Sequence, residues 1–427
     1  FNAKNGEYSI VDEILSSTKL RLKSATNDTY LISKNARLYK INPVENITID
    51  GIRFLGQGRI GDGNQGGDIG VCFTYGRHIT VKNCEFINID EVQLEFRSCY
   101  QFLAENNYHS HTKYFSPSGG VGESKPTALV NRGTVQYQVR TSDCCQYGTI
   151  RDCVGEGGRH FYNCGHSIRI NDGTIERDPQ GNAIQTKKLF GINRHIKVIN
   201  CYSKNTWHAG FSTHCDGQYL EFINCTSENS GTAGFNPRTK NIKILNCTAI
   251  NCKTGYMITD YPQDIEIIGC RAFNCKAYCN FITTDANQAT LDFKSITIKD
   301  CYFKDGVEGI FFNIGQGTIS EGINISNNII KNTVNTGNYS PIRLIGALTA
   351  NIENNKIDNT TIGYQIRLEG VTRVIVKDNM CSRGYRTFTA LNTCATVVTM
   401  NNTFTTHQIS TIDNSATSPT NQGNLIL

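Results

Sequence analysis

The chain has little of what most folds are built from. Proline is scarce, 8 in 427 residues. No long segment carries the 3.6-residue apolar period of an amphipathic helix, which excludes helical, ankyrin-type and leucine-rich repeats. No apolar run reaches membrane-spanning length and no secretory signal pattern is present. Lys and Arg exceed Asp and Glu by only five and form no basic block, which argues against nucleic acid as a partner but leaves a mild attraction for acidic polymers. No C-x-x-C pair has a second pair at zinc spacing, and no metal or other cofactor is expected.

What is present is a phrase that returns. It reads Ile196-Lys197-Val198-Ile199-Asn200-Cys201, then Leu220-Glu221-Phe222-Ile223-Asn224-Cys225, Ile242-Lys243-Ile244-Leu245-Asn246-Cys247 and Ile265-Glu266-Ile267-Ile268-Gly269-Cys270. Its fifth positions lie 24, 22 and 23 residues apart. Weaker copies run from Ile47 to Asn402. The alternation of apolar and polar residues is that of a half-buried strand, and Asn, Asp or Gly at the fifth position tolerates left-handed backbone geometry. One short strand phrase per 22–24 residues predicts a solenoid, which stacks equivalent offsets into columns. Glycine (39), tyrosine (19) and phenylalanine (20) fit a chain of turns and strands. About a dozen coils at ~4.8 Å give a rod roughly 60 Å long.

Of the 18 cysteines, Cys84, Cys153, Cys201, Cys225, Cys247, Cys270 and Cys301 follow the turn residue directly. Cysteine is small and readily buried, so this offset reads as an interior stack of reduced thiols, implying assembly in a reducing cytoplasm. The Asn-x-Thr sequons at Asn224 and Asn246 fall on the turn and are explained by it. The expected organisation is 1–46 as opening coils or a cap, 47–405 as the solenoid with inserted loops near 107–134 and 157–195, and 406–427 as a C-terminal tail or cap. The chain starts abruptly at Phe1, and a further part upstream of it is expected.

Function is sought where the repeat is interrupted. His109-Ser110-His111 is a two-ligand pattern, better suited to hydrogen bonding at a surface than to a metal. Counting from each turn residue, His160 is eight beyond Asp152 and His208 eight beyond Asn200, so the two are expected to stack. Fourteen beyond Asn200, Asn224 and Asn246 stand His214, Arg238 and Asp260. Gly210-Phe211, Gly234-Phe235 and Gly255-Tyr256 support that alignment. With the aromatics facing in, His214 and Arg238 face out, but counting from Tyr256 puts Thr259 in the column, and a one-residue slip reverses the face. The candidate patch is His214, Arg238, Asp216 and Asp260 with His160, Arg159, His208, Trp207, Tyr261 and Glu228 around it. The outward positions of the last coils read mostly as Asn, Thr and Lys.

Gly158-Arg159-His160, Ser212-Thr213-His214-Cys215-Asp216-Gly217 and Gly234-Phe235-Asn236-Pro237-Arg238 resemble the Arg-His, Thr-His and Phe-x-x-Arg series of phage tailspike and tail-fibre depolymerases of the pectate-lyase-like class. The general likeness covers about residues 40–405 and the motif likeness about 157–262. The resemblance implies an all-β, right-handed single-stranded parallel β-helix and a homotrimer of parallel rods. It implies attachment to a phage tail or baseplate through a part N-terminal to this chain, and action on a bacterial cell-surface polysaccharide such as capsule, O-antigen or teichoic acid. The protein would then belong to the virion tail, assembled in the host cytoplasm and acting at the host surface. Two chemistries fit. In a lyase, Arg238 or Arg159 neutralises a uronate, His214 takes the acidified proton, and Tyr261 or another histidine protonates the leaving oxygen. In a glycoside hydrolase, Asp216 with Asp260, or Glu228 with Asp260, flank the bond. A non-catalytic adhesin stays open, with Trp207, Tyr261 and Tyr278 stacking on sugars.

Overall fold

The computed structural model describes residues 7–26, 38, 40–56, 69–89, 91–111, 136–165, 176–177, 183–184, 192–213, 217–260, 262–283, 293–314, 320–333, 339–358, 363–384, 386–391, 394–405 and 409–426. Each repeat folds into one coil of three strands. In the coil that begins at Gly217, Gly217–Ile223 is the phrase, Thr226–Glu228 follows the turn, and Ala233–Asn236 closes the circuit. Coils stack in parallel register, so Leu220 pairs with Ile242 and Ile242 with Ile265. Among the described residues this builds three long sheets of 15, 14 and 13 strands, called here sheets 1, 2 and 3 in the order the chain visits them. The architecture is a single-stranded parallel β-helix. Among the described residues no helix is long and apolar enough to cross a membrane.

The turn residue does what its chemistry predicts. Asn200, Asn224, Asn246 and Gly269 all have positive φ, between 52° and 64°. The N–H groups of Asn200 and Asn224 bond to the next coil (2.9 and 3.0 Å), and the Asn224 amide donates to the Asn200 side chain at 3.3 Å. A second left-handed column, Asn205, Asn229, Asn251 and Asn274, bends sheet 2 towards sheet 3. The left-handed turn reverses the alternation, so the residue after it faces inward. All seven cysteines of that column are buried. Their thiols donate to backbone carbonyls, as Cys201 Sγ does to Ile199 O at 3.3 Å. Burial pushes the Cys201, Cys247 and Cys301 thiols up, towards the neutral form.

From Asn328 onward asparagine replaces cysteine in the same column. Asn328, Asn355, Asn379 and Asn402 are buried, and each side chain bonds the coils on either side. Asn355 Oδ1 accepts from the N–H and Nδ2 of Asn328, and its Nδ2 donates to Ile325 O and Asn379 Oδ1, all at 3.0 Å. A buried amide is tolerated here because it is fully partnered.

Two expected boundaries shift. The chain after 405 is not a separate tail: Ile409–Asn414, Ser418–Gln422 and Leu425–Ile426 add one more strand to each sheet. Gly423 has a positive φ of 59° and Asn424 accepts from Asn402 N–H at 3.0 Å, so they are the turn pair of a last coil. The phrase before them, Ser418-Pro419-Thr420-Asn421-Gln422, is polar and hides the copy. The interruptions are also narrower than expected. Tyr108–Ser110 and His160–Cys164 are regular strands of sheets 2 and 3. His109 and His111 are buried rather than at a surface, and burial lowers both to about 3. His109 stacks on Phe86 at 4.8 Å.

Candidate functional site on sheet 3

Sheet 3 buries Phe211, Phe235 and Tyr256 as a stacked inner column, with ring centroids 4.8 and 5.3 Å apart. The Tyr256 hydroxyl is anchored on Cys247 O at 2.7 Å. The residues that follow each ring turn alternately out. Because Phe235 pairs with Tyr256, Arg238 shares its outward column with Thr259, not with Asp260. Asp260 is one residue further, in left-handed conformation with φ of 68°. That turn brings its carboxylate back, and Arg238 Nε donates to Asp260 Oδ2. The Thr259 hydroxyl lies 3.4 Å from the same oxygen.

Arg238 is further fixed by its backbone. Its N–H donates to Thr213 Oγ1 at 2.8 Å. Asn236, the residue that precedes Pro237 and is held extended by it, donates from Nδ2 to Met257 O at 2.6 Å. The ion pair is partly open, with side-chain exposures of 29% for Arg238 and 14% for Asp260. Arg238 is a fixed cation on the outer face of sheet 3, and a planar guanidinium suits a carboxylate.

A second group stands at the start of the sheet-3 strands. Gly157 and Gly158 both take positive φ, 75° and 71°. A Cβ on Gly157 would lie 2.4 Å from His111 O, so glycine is required there. This turn delivers Arg159, whose guanidinium lies over the rings of Tyr137 (5.7 Å) and Trp207 (5.4 Å). Trp207 Nε1 donates to Gln136 Oε1 at 3.2 Å. His160 and His208 do stack across adjacent coils, edge to face at 5.0 Å. His160 Nδ1 meets Ala209 O at 2.6 Å. A carbonyl only accepts, so Nδ1 carries the proton and, in the neutral ring, Nε2 is the basic nitrogen.

The two groups do not form one constellation. His160 and His208 sit eight residues beyond the turn and Arg238 sits fourteen beyond it, which is about 20 Å along the strands. His160 therefore does not share a reacting atom with Arg238. Glu228 is also elsewhere: it ends a strand of sheet 2, where the Tyr202 hydroxyl donates to it. Burial first, then that carboxylate, pushes Tyr202 up to about 12. The pairing of Glu228 with Asp260 is thus not formed, because the Asn229 turn puts them on different faces. His214, Asp216 and Tyr261 lie outside the described residues. Among the described residues no group of three or more His, Cys, Asp or Glu gathers to hold a metal ion.

Charged groups also recur further along the face, contrary to the reading of the last coils as Asn, Thr and Lys. Glu308, Arg343, Arg367 and Glu369 cluster on sheet 3. Arg343 and Arg367 are register partners, yet stand sixteen beyond Asn327 and thirteen beyond Asn354. The extra residues before Arg343 break the count that would have aligned them. At the other end, Glu95 is buried among Arg97 (2.9 Å), Ser142 (2.8 Å) and Arg140 (3.8 Å), and both of its oxygens are partnered.

No family model matches the chain, and no curated protein matches it. Solved structures do share its fold. The catalytic unit of a thermostable GH87 α-1,3-glucanase from Streptomyces thermodiastaticus aligns with a TM-score of 0.50 at 11% identity, over 82% of this chain and 63% of that one. The periplasmic alginate epimerase AlgG aligns at 0.47 and 12%, over 83% and 78%. Tailspike protein 3 of bacteriophage CBA120 aligns at 0.42 and 11%, over 82% and 56%. At these identities the likeness is one of fold, the parallel β-helix, and the chemistry must come from the site itself.

Proposed function

We propose that this protein is a tailspike-type depolymerase that binds and cleaves an acidic bacterial surface polysaccharide on the outer face of sheet 3. The observation that carries the reading is Arg238, a partly exposed guanidinium fixed on the outer face by Thr213 and Asp260. The Arg159–Trp207 group, on the same face and about 20 Å away along the strands, suits a glycan of several sugars. It offers a cation for an acidic group and the half-buried Trp207 ring for a sugar face.

At Arg238 the described residues favour β-elimination over hydrolysis. Asp260 is committed to the guanidinium, and the alternative partner Glu228 faces sheet 2. Arg238 binds the uronate carboxylate and makes the adjacent C–H more acidic. His214, level with Arg238 by count, removes that proton, the C–O bond to the leaving sugar breaks, and Tyr261 protonates the departing oxygen. The new C=C bond marks the product. Asp260 is a positioning residue, and Arg159, Trp207 and His208 bind. The working form in this reading is a homotrimer of parallel rods on a phage tail, joined through a part N-terminal to this chain and acting at the host surface.

The test is incubation with purified uronate-containing capsules, following both chain length and the ultraviolet absorbance of an unsaturated uronate. Shortening with that absorbance, lost in Arg238→Ala, is expected. Binding without shortening means a glycan-binding adhesin and overturns the enzymatic reading.

A further inference from the structure

The outer face of sheet 1 takes no part in this chemistry, and its surface is of another kind. Near the start of its strands stands a column of residues with positive φ. In the later coils it holds Asn241, Asp264 and Gly322, at 58°, 53° and 71°, residue types that take left-handed geometry readily. In the three coils before them the same place is held by Tyr147, His195 and Tyr219, at 56°, 54° and 54°. A tyrosine is costly there. Burial does not compensate for it, because Tyr147 and Tyr219 are 41% and 44% exposed. The three rings stack along the rod, with centroids 5.0 and 5.1 Å apart and planes within 11°. Tyr100 meets Tyr147 edge to face at 5.2 Å. The result is a fixed, outward ladder of rings, of the kind enriched where proteins meet.

Four residues further along the same strands a second column faces outward. Ile199, Ile223, Leu245 and Ile268 are register partners on successive coils and are half-buried. Between the two columns Lys197 pairs with Glu221 and Lys243 with Glu266, each at 3.2 Å. Both cations are thus neutralised within the chain, which suits a protein partner and not an acidic polysaccharide. Apolar residues return near the far end of the sheet, where Ile375, Val398 and Met400 are half-buried. The two columns also complement each other. About a rotation axis parallel to the rod and over the Lys–Glu column, the aromatic column of one copy meets the aliphatic column of the next at the same height. Over its full length sheet 1 is roughly 60 Å by 15 Å, about 900 Å², against the ~800 Å² per partner of a stable interface.

We propose that the outer face of sheet 1 is the contact between copies of this chain, packed parallel and in register, with His195 and Tyr219 of one copy against Ile199 and Ile223 of the next. Tyr147 then meets Arg151 of the next copy, and a guanidinium packs well on a ring. The burial that Tyr147 and Tyr219 lack in one chain is supplied by its neighbour. The inference rests on the assembly of parallel rods given above, supplies its contact face, and makes no use of Arg238. It leaves the outer face of sheet 3 turned away from the axis, open to glycan.

The experiment is sedimentation of the full chain over a range of protein concentrations, with circular dichroism and melting on each variant to show the fold retained. Wild type should sediment as an oligomer. Tyr219→Glu and Ile223→Lys each put a charge on the outer face, and each should shift dissociation to a protein concentration about 30-fold higher. The double variant Tyr219→Glu/Ile223→Lys should recover assembly, because opposite charges then meet between copies. The two positions stand about 13 Å apart along one strand, so no contact within the chain produces that recovery. A wild type that is monomeric at every concentration overturns both this contact and the assembly it rests on. An oligomer unchanged by both single variants, or single variants that dissociate with no recovery in the double, overturns the sheet-1 contact alone. The Arg238 reading is scored separately, by the unsaturated product and its loss in Arg238→Ala.

Discussion

Replacing Asn355 tests whether the interior column is one structural position filled by two chemistries. Its side chain makes four hydrogen bonds at 3.0 Å. Asn355→Ala removes all four and strands two donors, the N–H and one Nδ2 hydrogen of Asn328, plus acceptor sites on Ile325 O and Asn379. A buried donor left without a partner costs about 1–3 kcal/mol, so two put the loss near 4 kcal/mol. Cysteine repairs part of this. In the cysteine coils the thiol donates to the preceding coil, as Cys301 Sγ does to Ile267 O at 3.4 Å. It also accepts from the preceding turn, as Cys247 Sγ does from Cys225 N–H at 3.4 Å. Asn355→Cys should therefore cost about half as much, ~2 kcal/mol. Native-state hydrogen exchange at the Asn328 amide reads the difference locally. Exchange there should quicken about 1,000-fold in Asn355→Ala and about 30-fold in Asn355→Cys, at ~1.4 kcal/mol per tenfold. Equal exchange in both variants, or faster exchange in the cysteine variant, would refute the equivalence of the two fillings.

Other outcomes follow from the same geometry. Asp260→Asn keeps a hydrogen-bond acceptor for Arg238 but removes the charge that holds it, so depolymerisation should fall about 10-fold, against about 1,000-fold for Arg238→Ala, read as initial rates. Trp207→Ala should raise KM with kcat little changed, because it removes binding surface about 20 Å along the strands from Arg238. Glu308 makes stability pH-dependent. Its folded pKa, about 7, lies above its ordinary 4.5, so its contribution is fully present below about pH 4.5 and is lost as pH rises through 7. The loss is roughly 3 kcal/mol. Wild type should lose that much more stability than Glu308→Gln between pH 5 and pH 8 by urea unfolding, and equal losses would contradict the assignment.

The fold was legible because a two-residue alternation and a left-handed turn residue are local signals that each coil repeats. The pairs Gly210-Phe211, Gly234-Phe235 and Gly255-Tyr256 placed the three rings in one buried column, and counting from Asp152 and Asn200 predicted the contact of His160 with His208. The count fails wherever backbone geometry departs from the regular strand. Thr259 keeps the column, yet the left-handed turn at Asp260 returns its carboxylate to Arg238. The lengthened coil before Arg343 hid its pairing with Arg367. The last coil was hidden because its strand, Ser418–Gln422, lacks the apolar alternation that marks the others. Offsets along a strand also say nothing of width: His160 and Arg238 share a sheet but stand at opposite edges of it.

The central claim is that the outer face of sheet 3 holds the polysaccharide. A structure of the protein with a bound uronate-containing oligosaccharide tests it most directly. The account predicts a sugar carboxylate on the terminal nitrogens of Arg238 and a ring against Trp207, with the chain running over sheet 3. An oligosaccharide bound instead across sheet 1 or sheet 2, with Arg238 untouched, would contradict it.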